Sequence, residues 1–254
     1  MVALWYGGCL TPSVMKKTFT ILAIGSGLFL GQAQAEIESE FHVGYNSKYV
    51  FRCVDLGDDA YEYGLSLAGS GNSGLNWSAG FWGISPDGED NAVDELDLFA
   101  EVSKEFGCVN VAAGFTVYTY PNGGQDDAEV YLGFSGNCYG IDTGVKVLFG
   151  TDGVFQEQIL VEADLGYSYE LSSTVDLNVG FVLGYIADDG QGVYAKDDGV
   201  AYYSASLSFD IALSDDITFS PYVSYVDGNG GTINVPDMYI EDGVIGGARL
   251  SFSF

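Results

Sequence analysis

The chain has 254 residues, and 36 Asp and Glu residues against 8 Lys and Arg residues give it a formal net charge of -28. So acidic a protein would repel the phosphates of nucleic acids, and we therefore expect no nucleic-acid partner. Charged residues make up only 17% of the chain, whereas 36 Gly, 18 Tyr and 16 Phe accompany only 5 Pro. This composition excludes a disordered chain and is typical of an all-β sandwich or barrel.

The first predicted element is a secretory signal peptide within residues 1–35, which contain no Asp or Glu. Two lysines follow Met15, an apolar segment occupies residues 18–30, and an Ala-Gln-Ala cleavage pattern ends at Ala35. A transmembrane helix is the alternative, but it would require ~20 consecutive apolar residues. We expect translation to start at Met15, cleavage to follow Ala35, and residues 36–254 to form one domain.

Residues 36–254 contain twelve segments in which apolar and polar residues alternate, with turn residues between them. Such alternation places apolar side chains on one face of a β-strand and polar side chains on the other. Many of the segments exceed the ~5–6 residues usual in soluble strands and approach the ~9–11 residues with which a strand crosses a bilayer. Strands are predicted at 38–53, 60–69, 75–84, 94–106, 109–120, 128–137, 139–149, 157–171, 173–186, 200–213, 217–227 and 243–254.

The connections between the predicted strands alternate between short and long. The short ones are GSGNS, GC, a single Cys, a single Ser and SDD, whereas segments such as PNGGQDD and ADDGQGVYAKDDG are long. Short periplasmic turns that alternate with longer extracellular loops are typical of outer-membrane barrels. A soluble secreted sandwich that binds carbohydrate through its aromatic residues would show the same strand alternation, but it has no reason to sort its connections. We therefore predict an all-β fold, a twelve-stranded antiparallel transmembrane β-barrel with short periplasmic turns and longer extracellular loops, in the bacterial outer membrane.

The last predicted strand ends in the alternating sequence ARLSFSF. Leu250, Phe252 and Phe254 share one face, which we expect to meet lipid near the periplasmic interface. A terminal strand of alternating aromatic residues that ends in Phe resembles the assembly signal of bacterial outer-membrane proteins. The resemblance implies the barrel assembly machinery as a partner.

A second resemblance lies near the predicted mature N-terminus. Residues 44–47 (GYNS) are followed by residues 49–52 (YVFR), which resemble the Tyr-Val-Phe-Arg-Gly core of the TorF family of outer-membrane porins. Length, strand number and the terminal Phe extend the resemblance over the whole predicted domain. Cys53 stands where the family usually has Gly, and the VDLGDDAYEY that follows lacks the family's usual Pro-containing segment. The resemblance implies a passive channel.

The polar faces of the predicted strands consist mainly of Gly, Ser, Asn and carboxylates, which suits a crowded, wet lumen. An excess of lumenal carboxylates should attract cations and raise their local concentration. Two arrangements remain open: the charges pair inside a plugged barrel, or Lys48, Arg52 and Arg249 line one wall and face acidic residues across a transverse field. The alternation places four basic residues in the lumen: Lys48, Arg52, Lys146 and Arg249. It places nine acidic residues there: Glu62, Asp97, Glu101, Glu129, Asp142, Glu162, Asp164, Asp176 and Asp210.

Three cysteines follow the predicted cleavage site, and export would place them in an oxidising compartment. The hairpin of 109–120 and 128–137 sets Cys108 roughly opposite Cys138 at the periplasmic end, within bridging reach. We predict a structural Cys108–Cys138 disulfide, which would contribute ~3–4 kcal/mol in the entropic model. Cys53 would then be unpaired at the extracellular end of the first strand.

His42 is the only histidine, and the alternation places it on the polar face. An outer-membrane phospholipase would need a Ser-His pair, and no Gly-x-Ser-x-Gly motif occurs, so we expect no enzymatic activity. A histidine metal site would need a second His, and no EF-hand pattern occurs, so we expect neither metal nor cofactor. Acidic clusters in the loops are either solvated turns or sites for divalent cations that bridge to lipopolysaccharide. These clusters are Asp58-Asp59, 87–90, 126–127, 188–189 and 197–198.

These features predict an outer-membrane porin that lets small hydrophilic solutes or ions diffuse passively, with a preference for cations. A closed structural or adhesive barrel without conductance is the main alternative. Twelve strands lie between the ~8 whose interior side chains fill and the ~16 that leave an aqueous channel. The soluble carbohydrate-binding protein is the less favoured alternative.

Overall fold

The computed structural model describes residues 37–71, 73–87, 93–190, 199–228, 239–240 and 242–254. The predicted signal peptide, residues 88–90 of the acidic cluster 87–90, and the acidic pair 197–198 lie outside these ranges.

Twelve strands of 11 to 17 residues form the wall of the molecule. Aromatic and β-branched residues on one face and small or polar residues on the other favour this extended conformation. The strands are β1 (Ile37–Phe51), β2 (Val54–Ser70), β3 (Leu75–Pro86), β4 (Glu95–Phe106), β5 (Val109–Thr119), β6 (Asp127–Cys138), β7 (Ile141–Asp152), β8 (Ile159–Ser172), β9 (Val175–Asp188), β10 (Gly199–Ser214), β11 (Ile217–Asp227) and β13 (Gly243–Ser253). A two-residue strand, β12 (Tyr239–Ile240), and a 3-10 turn, Gly153–Phe155, are the other described elements.

The sheet closes on itself. Each long strand pairs antiparallel with the long strands before and after it, and β1 pairs with both β2 and β13. Leu250 and Phe252 lie along this closing seam, and the backbone of Phe254 exchanges hydrogen bonds of 3.1 and 3.0 Å with Ser39. Closure pairs each of the twelve long strands that the structure describes on both sides, and the predicted twelve-stranded antiparallel barrel is confirmed.

The two ends of the barrel differ in their connections. Residues 71–74 and four two-residue turns join strands at one end, which we call the turn end. The other end, which we call the loop end, carries the connections 87–94, 120–126, 153–158, 189–198 and 228–242. The start of β1 and the end of β13 both lie at the turn end, as the even number of long strands requires.

The connection between β1 and β2 departs from the prediction. The sequence predicts a long loop after residue 53, but β2 begins at Val54, and only Arg52 and Cys53 form the turn. Both residues have positive φ angles, 50° and 62°, as a two-residue type I′ turn requires. The segment predicted as a loop therefore lengthens the first hairpin.

The far end of this hairpin, residues 49–56, bends into the barrel, and we call it the hairpin tip. The β1–β2 register shifts between Tyr49 and Val50, which leaves Leu56 as an extra residue in β2. Such a bulge bends a strand and increases its twist. Tyr49, Val50 and Cys53 are at most 1% exposed, because the tip packs against inward-facing side chains of the wall.

The hydrophobic core consequently lies inside the barrel at the loop end. Apolar residues of the tip pack there against residues that face inward from the wall and against Phe155 of the 3-10 turn. The principal wall residues are Trp82, Ile84, Tyr118, Leu148, Leu160, Ile186, Tyr202, Val226 and Ile245. Burial of these side chains stabilises the inward position of the tip.

The outer face of the barrel is apolar. Phe115 and Leu132, for example, are 46% and 45% exposed on neighbouring strands, and their face carries mainly large apolar side chains. An apolar band facing outward is the arrangement that suits contact with lipid. No helix in the described ranges is long and apolar enough to cross a membrane.

The predicted Cys108–Cys138 disulfide is not present in the structure. Cys108 and Cys138 are both free and exposed. Asn110 pairs with Ser135 between β5 and β6, so Cys108 lies opposite Asn137, one residue away from the predicted register. Because a one-residue shift turns a side chain to the other face of the sheet, the two thiols do not meet.

Candidate functional site

The interior of the barrel is the candidate site, because the charged residues of the strands face it. In β8, for example, Glu162 and Asp164 alternate with the outward-facing Val161 and Leu165. The same alternation turns inward the other strand residues predicted to line the lumen: Lys48, Glu62, Asp97, Glu101, Glu129, Asp142, Lys146, Asp176, Asp210 and Arg249. Arg52 also lies inside, but it reaches that position through the bend of the hairpin tip.

Arg52 crosses the interior to the opposite wall. Its guanidinium donates two parallel hydrogen bonds, of 3.0 and 2.8 Å, to the carboxylate oxygens of Glu129 in β6. Its Nε lies 3.8 Å from a carboxylate oxygen of Glu162 in β8. The side chains of Arg52 and Glu129 are only 4% and 2% exposed, so this is a buried, bidentate ion pair.

Aromatic rings surround the same guanidinium. Its central carbon lies 4.7 Å from the ring centroid of Phe51 and 5.2 Å from that of Phe155, within the range of cation–π attraction. The ring of Tyr118 packs against both rings, with centroids 5.6 and 5.8 Å away. We call the four wall residues Tyr118, Glu129, Phe155 and Glu162 the guanidinium cage.

Hydrogen bonds from tyrosine hydroxyls of the wall orient the cage carboxylates. The hydroxyl of Tyr118 donates to Glu129 over 2.8 Å, and the hydroxyl of Tyr202 donates to Glu162. Each carboxylate is therefore oriented by the wall itself as well as by Arg52. Such support keeps the geometry of a site independent of the group that occupies it.

Phe155 reaches the cage because the backbone of the 3-10 turn packs closely against the backbone of β7. Asp152 caps the 3-10 turn by accepting a hydrogen bond of 2.9 Å from the backbone of Gly153. The turn folds tightly over β7 at Gly150, where an added Cβ would lie 1.6 Å from the backbone oxygen of Phe155. Only a glycine at position 150 lets the turn carry Phe155 inward.

A second contact of the hairpin tip involves two further carboxylates. The hydroxyl of Tyr49 donates a 2.7 Å hydrogen bond to Glu95, and its ring lies 5.9 Å from that of Trp82. Asp97 faces inward two residues along β4 from Glu95, and both are buried. Tyr49 and Arg52 thus attach the tip to different parts of the wall.

The wall formed by β13, β1 and β2 carries its own ion pair. Arg249 donates a 2.8 Å hydrogen bond to Glu62, which also accepts one of 3.3 Å from Asn46. His42 packs beside this pair, where an added Cβ at Gly64 would lie 2.5 Å from its imidazole. The conformation of this wall therefore depends on paired charges.

The basic residues do not form the wall required by the predicted transverse field. Lys48 pairs with Asp55 at 3.0 Å, Arg249 pairs with Glu62, and Arg52 lies against the opposite wall. Lys146 lies 4.5 Å above the ring of Tyr131. Three of the four predicted lumenal basic residues are therefore paired with carboxylates inside the barrel.

The turn-end half of the interior is lined differently. Glu170, Asp176 and Asp210 lie directly beside one another on β8, β9 and β10. Asp210 accepts hydrogen bonds of 2.8 Å from Asn178 and 2.7 Å from Ser220. This half presents carboxylates and small polar groups, with no chain segment inserted between them in the described part of the structure.

Several residues of the site were missed from the sequence. Strand alternation would have placed Glu95 with Asp97, and Tyr118 and Tyr202 with the other inward residues. No sequence signal indicates the inward position of Phe155, since it depends on the close approach at Gly150. That Glu95, Tyr118 and Phe155 contact the hairpin tip follows only from the bend of the tip, which the sequence does not indicate.

One predicted acidic loop cluster has a structural role. Asp127 accepts a hydrogen bond of 2.8 Å from the hydroxyl of Tyr120 and another from the backbone of Val154. Burial, with the negative charge of nearby Glu95 and Asp127, raises the pKa of Tyr120. Asp127 therefore anchors the 3-10 turn. Across the described residues, no group of three or more His, Cys, Asp or Glu side chains is arranged to hold a metal ion.

A closed antiparallel barrel with an apolar outside and a charged inside is the architecture of bacterial outer-membrane porins and channels. Solved structures with this fold match most of the chain. The NanC porin is 15% identical, covers 85% of this chain and 98% of its own, and gives a TM-score of 0.53. The KdgM porin is 9% identical over 85% of this chain and 99% of its own, with a TM-score of 0.50.

A further match is an outer membrane channel from Pseudomonas putida F1, which is 12% identical over 85% of this chain and 95% of its own, with a TM-score of 0.53. No protein-family model and no curated protein matches the sequence. The chain therefore shares the fold of porins and channels.

Proposed function

We propose that this protein is an outer-membrane channel through which small hydrophilic solutes or ions diffuse passively. The observation that carries the proposal is the charged interior of a closed barrel whose outer face is apolar. Carboxylates, an amide and a serine hydroxyl line the turn-end half of the interior, and polar lining of this kind suits a wet pathway. The proposal involves no enzymatic step and no cofactor.

We further propose that the channel prefers cations. Nine of the thirteen predicted lumenal charges are carboxylates, and several of them at the turn end, such as Asp176, have no cation within salt-bridge distance in the described residues. Fields from such groups raise the local concentration of cations and lower that of anions. Neutralised pairs such as Arg52–Glu129 contribute little to this field.

The surroundings of the channel follow from the same reasoning. The predicted signal peptide and the aromatic C-terminal strand support export to the bacterial outer membrane and insertion by the barrel assembly machinery. Residues 44–47 and 49–52 support membership of the TorF family of porins. The acidic loop residues would contact lipopolysaccharide through bridging cations. An apolar outer face does not suit a soluble carbohydrate-binding protein.

The hairpin tip favours a second candidate function. Because it fills the loop-end half of the interior with buried side chains, the barrel would be closed in this conformation. A closed structural or adhesive barrel without conductance would have the same architecture. For the protein to act as a channel, the tip must leave room for solute or move.

Single-channel recording in planar bilayers across a KCl gradient tests these proposals. We expect current steps whose reversal potential indicates a preference for potassium. Steps with anion preference would retain the channel and overturn the cation preference. If a demonstrably folded barrel produces no current, the closed structural barrel is the better interpretation.

A further inference from the structure

We propose that the guanidinium cage is a binding site for a cationic group of the transported solute, a guanidinium or an alkylammonium, and that Arg52 of the hairpin tip occupies it in the solute's absence. The inference rests on the proposed channel function, because it names the class of solute that the channel would take.

The cage has the properties of a built site. Glu129 is 2% exposed and presents both carboxylate oxygens to one planar cation, at 3.0 and 2.8 Å. Glu162 supplies a second negative charge at 3.8 Å. Phe155 supplies a ring face 5.2 Å from the guanidinium carbon. Paired carboxylate oxygens beside an aromatic face recognise a planar guanidinium better than a small hydrated ion.

The cage belongs to the wall and not to the hairpin that fills it. Tyr118 and Glu129 come from β5 and β6, Glu162 comes from β8, and Phe155 comes from the 3-10 turn. Their mutual contacts, such as the 2.8 Å hydrogen bond from Tyr118 to Glu129, do not involve the tip. Displacement of the tip would therefore leave the cage assembled.

If Arg52 left the cage and no other cation took its place, the free energy of the structure would rise. A carboxylate as buried as Glu129 would lose its partner, and an uncompensated buried charge is strongly destabilising. A cation that enters the cage as Arg52 leaves it removes this penalty. The tip is then an internal competitor, and binding of a cationic solute is coupled to opening of the loop end.

Binding can be measured separately from conductance. We would replace Arg52 by Ala in the refolded protein and titrate it calorimetrically with methylguanidinium chloride, and in parallel with sodium chloride at the same ionic strength. We expect saturable binding of methylguanidinium only, which weakens by about tenfold or more when Glu129→Gln is added, because charge-assisted hydrogen bonds are lost. Absence of saturable binding, or binding unaffected by Glu129→Gln, would overturn the inference.

A matched control removes a carboxylate charge elsewhere. Asp216 is exposed in the turn between β10 and β11, at the turn end of the barrel. Asp216→Asn in the Arg52→Ala background removes one negative charge, as Glu129→Gln does, but it should bind methylguanidinium as the single variant does. An equal loss of binding in this control would mean that net charge, and not the cage, attracts the ligand.

A second measurement keeps Arg52 in place, in case its loss prevents folding. In a protein whose other cysteines are replaced by Ser, Cys53 is the only thiol, and it is fully buried in the tip, with its sulfur 3.9 Å from the backbone oxygen of Tyr203. We expect methylguanidinium, and not sodium, to accelerate modification of Cys53 by a maleimide several-fold. Equal rates in the two salts would contradict displacement of the tip.

Conductance then distinguishes the two proposals. If Arg52→Ala binds methylguanidinium and also conducts, both proposals are supported. If it binds but a folded barrel never conducts, the channel function fails and the cage stands as a site. If it conducts but does not bind methylguanidinium, the channel stands, and the cage serves only to hold Arg52 of the tip.

Discussion

The two halves of the barrel interior are built from the same alternating strands, and yet they differ like a protein core and a solvated surface. At the loop end, Arg52 and Glu129 are 4% and 2% exposed and are surrounded by aromatic rings. At the turn end, Asp176 and Glu170 face each other across neighbouring strands, and no chain segment from the described ranges lies between them. The strands alone therefore do not determine the interior. The bend of one hairpin converts half of a polar lining into a packed core.

This comparison predicts that the same chemical change has opposite consequences in the two halves. Glu129→Gln removes the charge that compensates the buried Arg52, and loss of one partner of a buried ion pair destabilises by ~3–5 kcal/mol. Urea unfolding of the refolded protein in detergent would measure this loss. Asp176→Asn at the turn end is the matched carboxylate-to-amide control. Equal stability of the two variants would contradict the division of the interior into a packed and a solvated half.

A smaller loss is expected from the second attachment of the tip. Tyr49→Phe removes the hydroxyl that donates to Glu95 over 2.7 Å, and a hydrogen bond to a charged group contributes ~1.5–3 kcal/mol. We expect a lower unfolding midpoint and a larger open fraction in single-channel records. Tyr61→Phe is the control, because Tyr61 is 59% exposed on the outer face. Equal effects would mean that the hydroxyl of Tyr49 contributes nothing specific.

A glycine substitution tests how Phe155 reaches the cage. Gly150→Ala would place a Cβ 1.6 Å from the backbone oxygen of Phe155, so the 3-10 turn must shift, at ~1–3 kcal/mol for overpacking. Gly133→Ala is the matched control on the neighbouring strand, since the nearest atom to its Cβ would be 3.8 Å away. We expect only the first variant to weaken methylguanidinium binding in the Arg52→Ala background. Unchanged binding in Gly150→Ala would show that Phe155 does not contribute to the cage.

Period-two alternation carries the local information that predicts a strand, and this explains what the sequence predicted well. The strands from β3 to β11 follow it, and the inward position of residues such as Glu162 follows from the same pattern. The C-terminal strand also pairs where a closed barrel requires it.

The features that the sequence did not predict depend on contacts between distant segments. Residues 54–59 contain Asp and Gly in a pattern typical of a loop, but they pair with β1 because the two-residue turn at Arg52 and Cys53 brings them alongside it. The predicted pairing of Cys108 differs by one residue from that in the structure. Hairpin register depends on turn geometry, which the composition of the loop does not specify. The cage combines residues from three strands and a 3-10 turn, and only the bulge at Leu56 brings Arg52 to them.

The smallest expected effect concerns the turn end, and its sign is the most informative. Asp176 lies directly between Glu170 and Asp210 on the neighbouring strands, and like charges directly opposite each other destabilise a sheet by ~0.2–1 kcal/mol. Asp176→Asn should therefore raise stability slightly while it lowers the proposed preference of the channel for potassium over chloride. Ser168→Ala, on the same inward face of β8, changes no charge and should alter neither property. If Asp176→Asn lowers stability and leaves selectivity unchanged, the turn end is a paired interior like the loop end, and the cation preference must arise elsewhere.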